Sequence, residues 1–219
     1  MTRPPDHGKR TAASGETRAR ILEAARDLAV EEGFSGFTVE KVAEHAGVSR
    51  MTVYYQFGAK ADLMEALFDH LARRGRMDQL PEAFGNPDPR EGLMRFIEVF
   101  CGFWASDPEG LRRLRAWEAV EREETRGGHG RDAWRRGGLQ TLVGRLREER
   151  GAPSSWAAEE VIDILHALTS FETYDALARQ GRGEEEVAAI LKRAALAIVG
   201  VDEPRTGRDP RRSSGSGDT

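Results

Sequence analysis

A short polar segment, Arg50 to Gln56, combines the residue types that bind nucleic acid. Arg50 and Gln56 carry hydrogen-bond donors that can read base edges, and Thr52, Tyr54 and Tyr55 carry hydroxyls that can donate to phosphates. At about 1.5 Å per residue, a helix from Arg50 to Phe57 spans about 12 Å, close to the width of a major groove. An ordinary solvated helix does not have this surface. The segment therefore predicts a recognition helix for double-stranded DNA.

The residues around this segment have the pattern of a helix-turn-helix. Such a motif needs a small residue where its two helices cross, a glycine at the turn and an apolar residue facing back from the second helix. Ala43, Gly47 and Val53 meet these needs at the separations that the motif uses. Thr38 and Ser49 are typical helix N-caps, so they predict where the two helices begin.

The stretch FTVEKVAEHAGVSRMTVYYQFGAKADLMEAL resembles the DNA-binding signature of TetR-family repressors, over about Thr17 to Leu71. The family pattern has a Thr cap, Gly-Val-Ser at the turn, Thr-x-Tyr-x-x-Phe and a Lys that opens the fourth helix. This chain supplies the pattern with Thr38, Gly47, Val48, Ser49, Thr52, Tyr54, Phe57 and Lys60. Gln56 departs from it, because many members have His there. Glutamine still donates and accepts hydrogen bonds, so the departure concerns operator sequence more than DNA binding itself.

The resemblance implies roles for individual side chains. Four would position the helix on phosphates, namely Thr38, Thr52, Tyr54 and Lys60. Three would approach bases, namely Arg50, Tyr55 and Gln56. The full set of predicted DNA contacts is Thr38, Ser49, Arg50, Met51, Thr52, Tyr54, Tyr55, Gln56 and Lys60. Taken singly, each has an ordinary alternative, such as a core aromatic for Tyr54 or a solvated charge for Arg50. Their joint occurrence at this spacing favours DNA contact.

The wider chain predicts an all-α protein. Stretches rich in Leu, Ala, Glu and Arg alternate with Gly or Pro breaks, and no alternation typical of a half-buried strand is sustained. Helices are expected at about 16–32, 39–46, 50–57 and from 60 onward, then at 90–105, 108–124, 131–150, 156–180 and 184–200. The segment Leu80 to Pro89 contains three prolines and is expected to break the helical pattern. Gly33 is expected to end the first helix in a left-handed conformation.

These elements predict two domains and two tails. Residues 1–15 and 202–219 are poor in large apolar side chains and are expected to be disordered. Residues 16–75 are expected to form a helix-turn-helix DNA-binding domain with a fourth, linking helix. Residues 76–201 are expected to form a helical domain for ligand sensing and dimerisation.

Composition excludes several classes of protein. The chain has no apolar run of about 18 residues and no apolar segment behind its charged N-terminus, so we expect no membrane span, no secretion signal and a cytoplasmic location. Cys101 is the single cysteine, which excludes an internal disulfide and a multi-cysteine metal site. No metal or cofactor is expected. The formal net charge of -4 means that any DNA contact must be local.

Two apolar stripes near the C-terminus predict a homodimer. One short recognition helix reads only a few base pairs, so operator affinity favours two copies. The stretch LTSFETYDALARQGRGEEEVAAIL also resembles the region in which many TetR-like regulators form a four-helix bundle between subunits. The predicted interface residues are Val161, Ile164, Leu165, Leu168, Phe171, Val187, Ile190, Leu191, Ala194 and Ile198. The alternative is that both stripes pack within their own subunit.

Aromatic residues are concentrated between these regions. Most are expected in the core, as aromatics at helical spacing usually are, but a largely apolar pocket with a few polar groups is also compatible with them. The predicted pocket residues are Phe96, Phe100, Phe103, Trp104, Trp117, His166, Thr169 and Tyr174. For His166, a core or surface role is the alternative.

Together these features predict a ligand-responsive transcriptional regulator. The resemblance implies a repressor that binds a palindromic operator as a dimer and is released by a small-molecule effector. Two alternatives remain: a DNA-binding protein without a ligand, and a helical enzyme. The chain has no GxxxxGK[ST], HExxH or GxSxG motif and no cysteine-histidine constellation, so no catalytic residue is predicted.

Overall fold

The computed structural model describes residues 7–125, 130–150 and 156–200, and within these ranges all regular structure is helical. The helices are α1 (His7–Gly36), α2 (Val39–His45), α3 (Arg50–Phe57), α4 (Lys60–Arg74), α5 (Leu80–Gly85), α6 (Pro89–Ser106), α7 (Pro108–Thr125), α8 (Gly130–Arg150), α9 (Ala158–Leu168), α10 (Phe171–Ala178) and α11 (Glu184–Ile198). The all-α prediction is confirmed. In the described ranges, no helix has the length and apolarity needed to cross a membrane.

Local capping sets the limits of α2 and α3. Thr38 Oγ1 accepts a hydrogen bond from the amide of Lys41 at 3.2 Å, and Ser49 Oγ accepts one from the amide of Thr52 at 3.0 Å. Gly47 at the turn has a φ of 63°, where a residue without a Cβ is favoured. Both predicted helix starts are therefore confirmed, and so is the glycine turn between them.

The first three helices bury a small shared core. Ala43 and Val53 are both buried, so α2 and α3 meet at the small and apolar positions that a helix-turn-helix requires. Ile21 and Leu28 of α1 are fully buried beneath them. Gly33 interrupts α1 with a φ of 66°, which confirms the predicted left-handed break.

The longer α6 forms the centre of the second domain and packs against α5, α8, α10 and α11. Its buried face includes Leu93, Phe96, Ile97 and Phe100. α4 reaches this domain from the helix-turn-helix, and the ring of Phe68 on α4 meets the ring of Phe103 edge-on at a centroid distance of 5.6 Å. α4 therefore links the two domains.

Three expectations are corrected by the structure. The proline-rich segment after Leu80 is not wholly irregular, because Pro81 lies in the first turn of α5, where a missing N–H is tolerated. The helix expected over 156–180 is divided into α9 and α10, since Ser170 Oγ accepts from the amide of Thr173 at 3.2 Å and begins a new helix. Residues 7–15, expected to be disordered, are helical. Residues 1–6 and 202–219 lie outside the described residues.

Candidate nucleic-acid interface and adjoining cavity

α3 presents three large side chains to solvent. Met51 is 73% exposed, Tyr54 36% and Tyr55 88%, whereas Val53 and Phe57 on the opposite side are buried. Large exposed aromatic and thioether groups on one short helix are unusual for a surface without a partner. Three of the residues predicted to contact DNA are therefore exposed on this helix.

Arg50 and Tyr54 form a pair on this face. Arg50 Nη2 donates to the hydroxyl of Tyr54 at 3.2 Å, and its guanidinium carbon lies 5.2 Å from the centroid of the Tyr54 ring. Arg50 Nη1 also lies 2.8 Å from a carboxylate oxygen of Glu40. The hydrogen bond with Tyr54, followed by the charge of Glu40, raises the pKa of Arg50. The two side chains are thus held beside each other in the free chain.

The end of α3 is attached to α1. Gln56 Nε2 donates to Ser14 Oγ at 3.1 Å, while Arg18 Nη1 donates to the backbone carbonyl of Gln56 at 2.6 Å. The Arg18 guanidinium also lies 4.2 Å from the centroid of the Phe57 ring. Arg18 and Ser14 could not be predicted from local spacing, because their proximity to α3 arises from tertiary packing. A Gln56 that reads a base must first leave Ser14.

The other predicted contacts already have structural roles in the free chain. Thr38 and Ser49 cap their helices, and Ser49 Oγ lies 2.8 Å from Thr52 Oγ1. Lys60 Nζ donates to the carbonyl of Phe37 at 2.9 Å and lies 5.3 Å from the centroid of the Phe37 ring. These bonds are compatible with additional phosphate contacts, since hydroxyl and ammonium groups form several hydrogen bonds at once. Their DNA roles stay predictions.

A cavity of about 400 Å³, which we call the central cavity, lies between α4, α6, α7 and α8. Three of the predicted pocket residues, Phe100, Phe103 and Trp104 of α6, line it, and Phe68 of α4 and Trp134 of α8 also line it. Their role in ligand binding stays a prediction. The remaining predicted pocket residues do not line this cavity; they are Phe96, Trp117, His166, Thr169 and Tyr174. Four of those five are buried in the core, and His166 is half-buried.

Two of these five residues, Thr169 and His166, form hydrogen bonds with residues that line the cavity. Trp104 Nε1 donates to the carbonyl of Thr169 at 3.0 Å, which fixes one aromatic wall. The ring nitrogen Nε2 of His166 lies 3.2 Å from the carbonyl of Asp132. Burial, and then the charge of Arg135, lowers the pKa of His166, so its neutral form is favoured. His166 is therefore part of the packing around the cavity rather than of its lining.

Three arginines that were not predicted from the sequence also line the central cavity, namely Arg115, Arg131 and Arg135. Arg135 is only 4% exposed; its Nη1 donates to Thr169 Oγ1 at 2.9 Å and to the carbonyl of His166. Burial, as the largest influence, lowers the pKa of Arg135. Arginines on a charged helix resemble solvent-facing residues in sequence, which is why they gave no signal. Among the described residues, no group of acidic, histidine or cysteine side chains is placed to hold a metal.

The predicted interface residues fall into two groups. Five are buried inside the subunit, namely Val161, Leu165, Phe171, Val187 and Leu191. The other five are only partly buried in the single chain, namely Ile164, Leu168, Ile190, Ala194 and Ile198. Half of the two stripes is therefore core of the single chain, and the second group is not fully covered, although Leu168 and Ile198 in it pack against the same core. The dimer interface stays a prediction.

An N-terminal helix-turn-helix joined by one linking helix to an all-helical domain with a cavity defines the architecture of this chain. Residues 21–67 match the family described as "Bacterial regulatory proteins, tetR family". The chain is 35% identical over 116 residues to the HTH-type transcriptional regulator EthR of Mycolicibacterium smegmatis, covering 51% of this chain and 52% of that protein. It is 38% identical over 77 residues to the regulator TtgR of Pseudomonas putida, covering 32% and 37%. The chain is therefore similar to the tetR family over residues 21–67, and to these curated regulators over about half of its length or less.

The structural comparison extends the likeness over most of the chain. NalD, described as the secondary repressor of the MexAB-OprM multidrug efflux pump in Pseudomonas aeruginosa, superposes with a TM-score of 0.64 at 24% identity. The superposition covers 85% of this chain and 97% of NalD, and it shows a shared fold. In sequence, by contrast, the chain spans about half or less of the length of these curated relatives.

Proposed function

We propose that the chain is a transcriptional regulator that binds a palindromic DNA operator as a homodimer and is released by a small-molecule effector. The observation that carries the proposal is the exposed face of α3, with Met51, Tyr54 and Tyr55 presented beside Arg50. Its relatives are transcriptional regulators, and repression is the expected mode. A regulator of this kind works in the cytoplasm, where its operator is.

On DNA, α3 lies in the major groove. The Tyr54 hydroxyl and Arg50 form a preassembled donor pair for a phosphate, because exchanging Glu40 for a phosphate keeps the guanidinium paired with an anion. Tyr55 is the most exposed large hydrophobic side chain of the helix, so it is accessible to the bases. Gln56 gains access to a base edge when it releases Ser14. Arg50 has guanine as its alternative partner.

Dimerisation brings two recognition helices to successive turns of one DNA face. Two recognition helices must be about 34 Å apart to enter successive major grooves on that face. The partly exposed residues of α9 and α11, such as Leu168 and Ile190, supply an apolar surface for the partner. Operator symmetry then mirrors the two-fold symmetry of the protein.

An effector in the central cavity acts on α4. Phe68 and Ala72 belong to α4 and line the cavity, so a bound molecule contacts the linking helix itself. If the effector prefers the arrangement in which the two recognition helices no longer match the groove spacing, it lowers operator affinity. By linkage, operator DNA lowers effector affinity by the same factor.

Selection of bound duplexes from a random DNA pool tests this function. We expect a palindromic consensus after several rounds with the full chain. A selected pool without symmetry would contradict dimeric binding, and a pool without any consensus would contradict sequence recognition. A screen of metabolites against the complex with the selected duplex then distinguishes a regulator from a DNA-binding protein without a ligand, since only the regulator releases DNA.

A further inference from the structure

Carboxylates surround the guanidinium of Arg115 at the central cavity. Arg115 Nη1 lies 3.2 Å from Glu118 and 3.4 Å from Asp132, and Arg115 Nη2 lies 3.1 Å from Glu172. Burial, the largest influence, lowers the pKa of Arg115, but the charges of Asp132, Glu172 and Glu118 outweigh it and raise that pKa. The electrostatic potential at this guanidinium is therefore negative.

The other two arginines are paired as well. Arg131 Nη2 pairs with Glu65, and its Nη1 lies 3.0 Å from Glu118. Arg135 Nη2 lies 3.3 Å from Asp132. The lowered pKa of Arg135 comes first from burial, whereas the charge of Asp132 acts in the opposite direction. None of the three guanidiniums therefore offers an uncompensated positive charge to a ligand.

Asp69 of α4 is the charge at this cavity that lacks a counter-ion. Asp69 lines the cavity and is exposed, and within the described ranges it has no hydrogen bond or ion pair. Trp134 of α8 lines the same cavity, is 56% exposed and has no ring or cation contact in the described part of the chain. An unpaired carboxylate and a vacant indole face attract a cation, since both present negative potential to it.

We propose, on the basis of the proposed effector site, that the effector is an apolar or aromatic cation, a protonated or quaternary amine. Its positive charge lies near the Asp69 carboxylate and the Trp134 ring, and its apolar part contacts Phe103 and Trp104. The guanidiniums are already paired, and the surrounding carboxylates repel an anion. A cavity of about 400 Å³ suits a compact ligand of this type.

Three small probes of closely related shape test the charge preference by calorimetric titration of the full chain. Benzyltrimethylammonium carries the cation, neopentylbenzene replaces its nitrogen by carbon, and phenylacetate carries an anion. We expect the cation to bind in a one-to-one complex and phenylacetate to bind more weakly. Asp69→Asn should lower the affinity for the cation by about fivefold, which is the size expected for the loss of one partly screened charge contact. The affinity for neopentylbenzene should not change.

The matched control is Asp78→Asn, which removes an exposed carboxylate that does not line this cavity. It should leave all three affinities unchanged, so an equal loss in both variants would overturn the assignment of Asp69. Tighter binding of phenylacetate than of benzyltrimethylammonium would overturn the cation class. Failure of the proposed function is separately visible: the chain would then select no DNA sequence, whatever the probes do. DNA selection with no charge preference would overturn this inference alone.

Discussion

Arg26 on α1 donates to both carboxylate oxygens of Asp107, at 2.8 and 2.7 Å, and so ties the N-terminal domain to the junction of α6 and α7. The carboxylate is only 6% exposed, and it also accepts from the amide of Gly110 at 3.1 Å. Asp107→Asn should lower the free energy of unfolding by about 1.5 to 3 kcal/mol, because it weakens charge-assisted hydrogen bonds at a mostly buried site. Urea unfolding of both proteins at neutral pH measures this loss.

The same pair predicts an acid sensitivity. Burial raises the pKa of Asp107, but the hydrogen bonds and charge of Arg26 outweigh it and hold that pKa below the ordinary value of 3.8. Because the folded pKa is the lower one, the contribution is present above about pH 4 and is lost as the pH falls through the folded pKa. The stability gap between wild type and Asp107→Asn should therefore narrow on acidification. A gap that is constant down to about pH 2 would contradict this account.

Gly75 follows α4 at a close approach to α6. A Cβ at this position would lie 2.5 Å from Phe103 Cδ2 and 2.8 Å from Phe103 Cα, and the backbone atom cannot move aside alone. Gly75→Ala should therefore destabilise the chain by about 1 to 3 kcal/mol through overpacking.

Gly144→Ala on α8 is the matched control. It is exposed, meets nothing within 4 Å and should stabilise the chain by about 0.5 to 1 kcal/mol through helix propensity. Thermal unfolding compares the two. Equal changes in Tm would mean that the contact between Gly75 and Phe103 has no effect.

These local features explain which parts of the fold could be predicted. Thr38, Gly47 and Ser49 act on the backbone within a few residues, so the limits of α2 and α3 were visible in sequence. The bond from Arg26 to Asp107 joins residues far apart in the chain, and no local pattern marks it. The division between α9 and α10 was missed because the apolar stripe continues through Ser170 without a Gly or Pro break.

The dimer interface is expected on the partly exposed residues of α9 and α11. Leu168→Glu and Ile190→Glu should each yield monomers, since a charge in an apolar seam is not compensated there. Sedimentation velocity at micromolar concentration measures the mass. Ala116→Glu on the exposed side of α7 is the control and should stay dimeric. A monomeric wild type, with and without DNA, would contradict the proposed assembly.

The same apolar stripes show why the interface could be predicted only in part. Amphipathic spacing identifies residues that avoid water, but it does not say whether their partner is the same chain or another copy. Leu165 and Leu191 are buried within one subunit, whereas Ile164 and Ile190 are not fully covered. Only the packed structure separates the two groups.

Two tryptophans should behave in opposite ways. Trp134 lines the central cavity and is largely exposed, so Trp134→Ala should change the effector dose response with a stability change within about 0.5 kcal/mol. Trp117 is buried and does not line this cavity, so Trp117→Ala should cost about 3 to 5 kcal/mol. The dose response is measured as operator release by the compound found in the metabolite screen. The stability change is measured by thermal unfolding of each variant. A wild-type dose response in Trp134→Ala would place the effector elsewhere.

The central claim, that the exposed face of α3 recognises an operator, is tested most directly by comparing affinities for the selected palindrome and for a scrambled duplex at one salt concentration. We expect wild type to prefer the palindrome by roughly a thousandfold or more. Tyr54→Ala should weaken binding to both duplexes by a similar factor, because a phosphate contact carries little sequence information. Equal wild-type affinity for the two duplexes, or an unchanged affinity in Tyr54→Ala, would contradict the account.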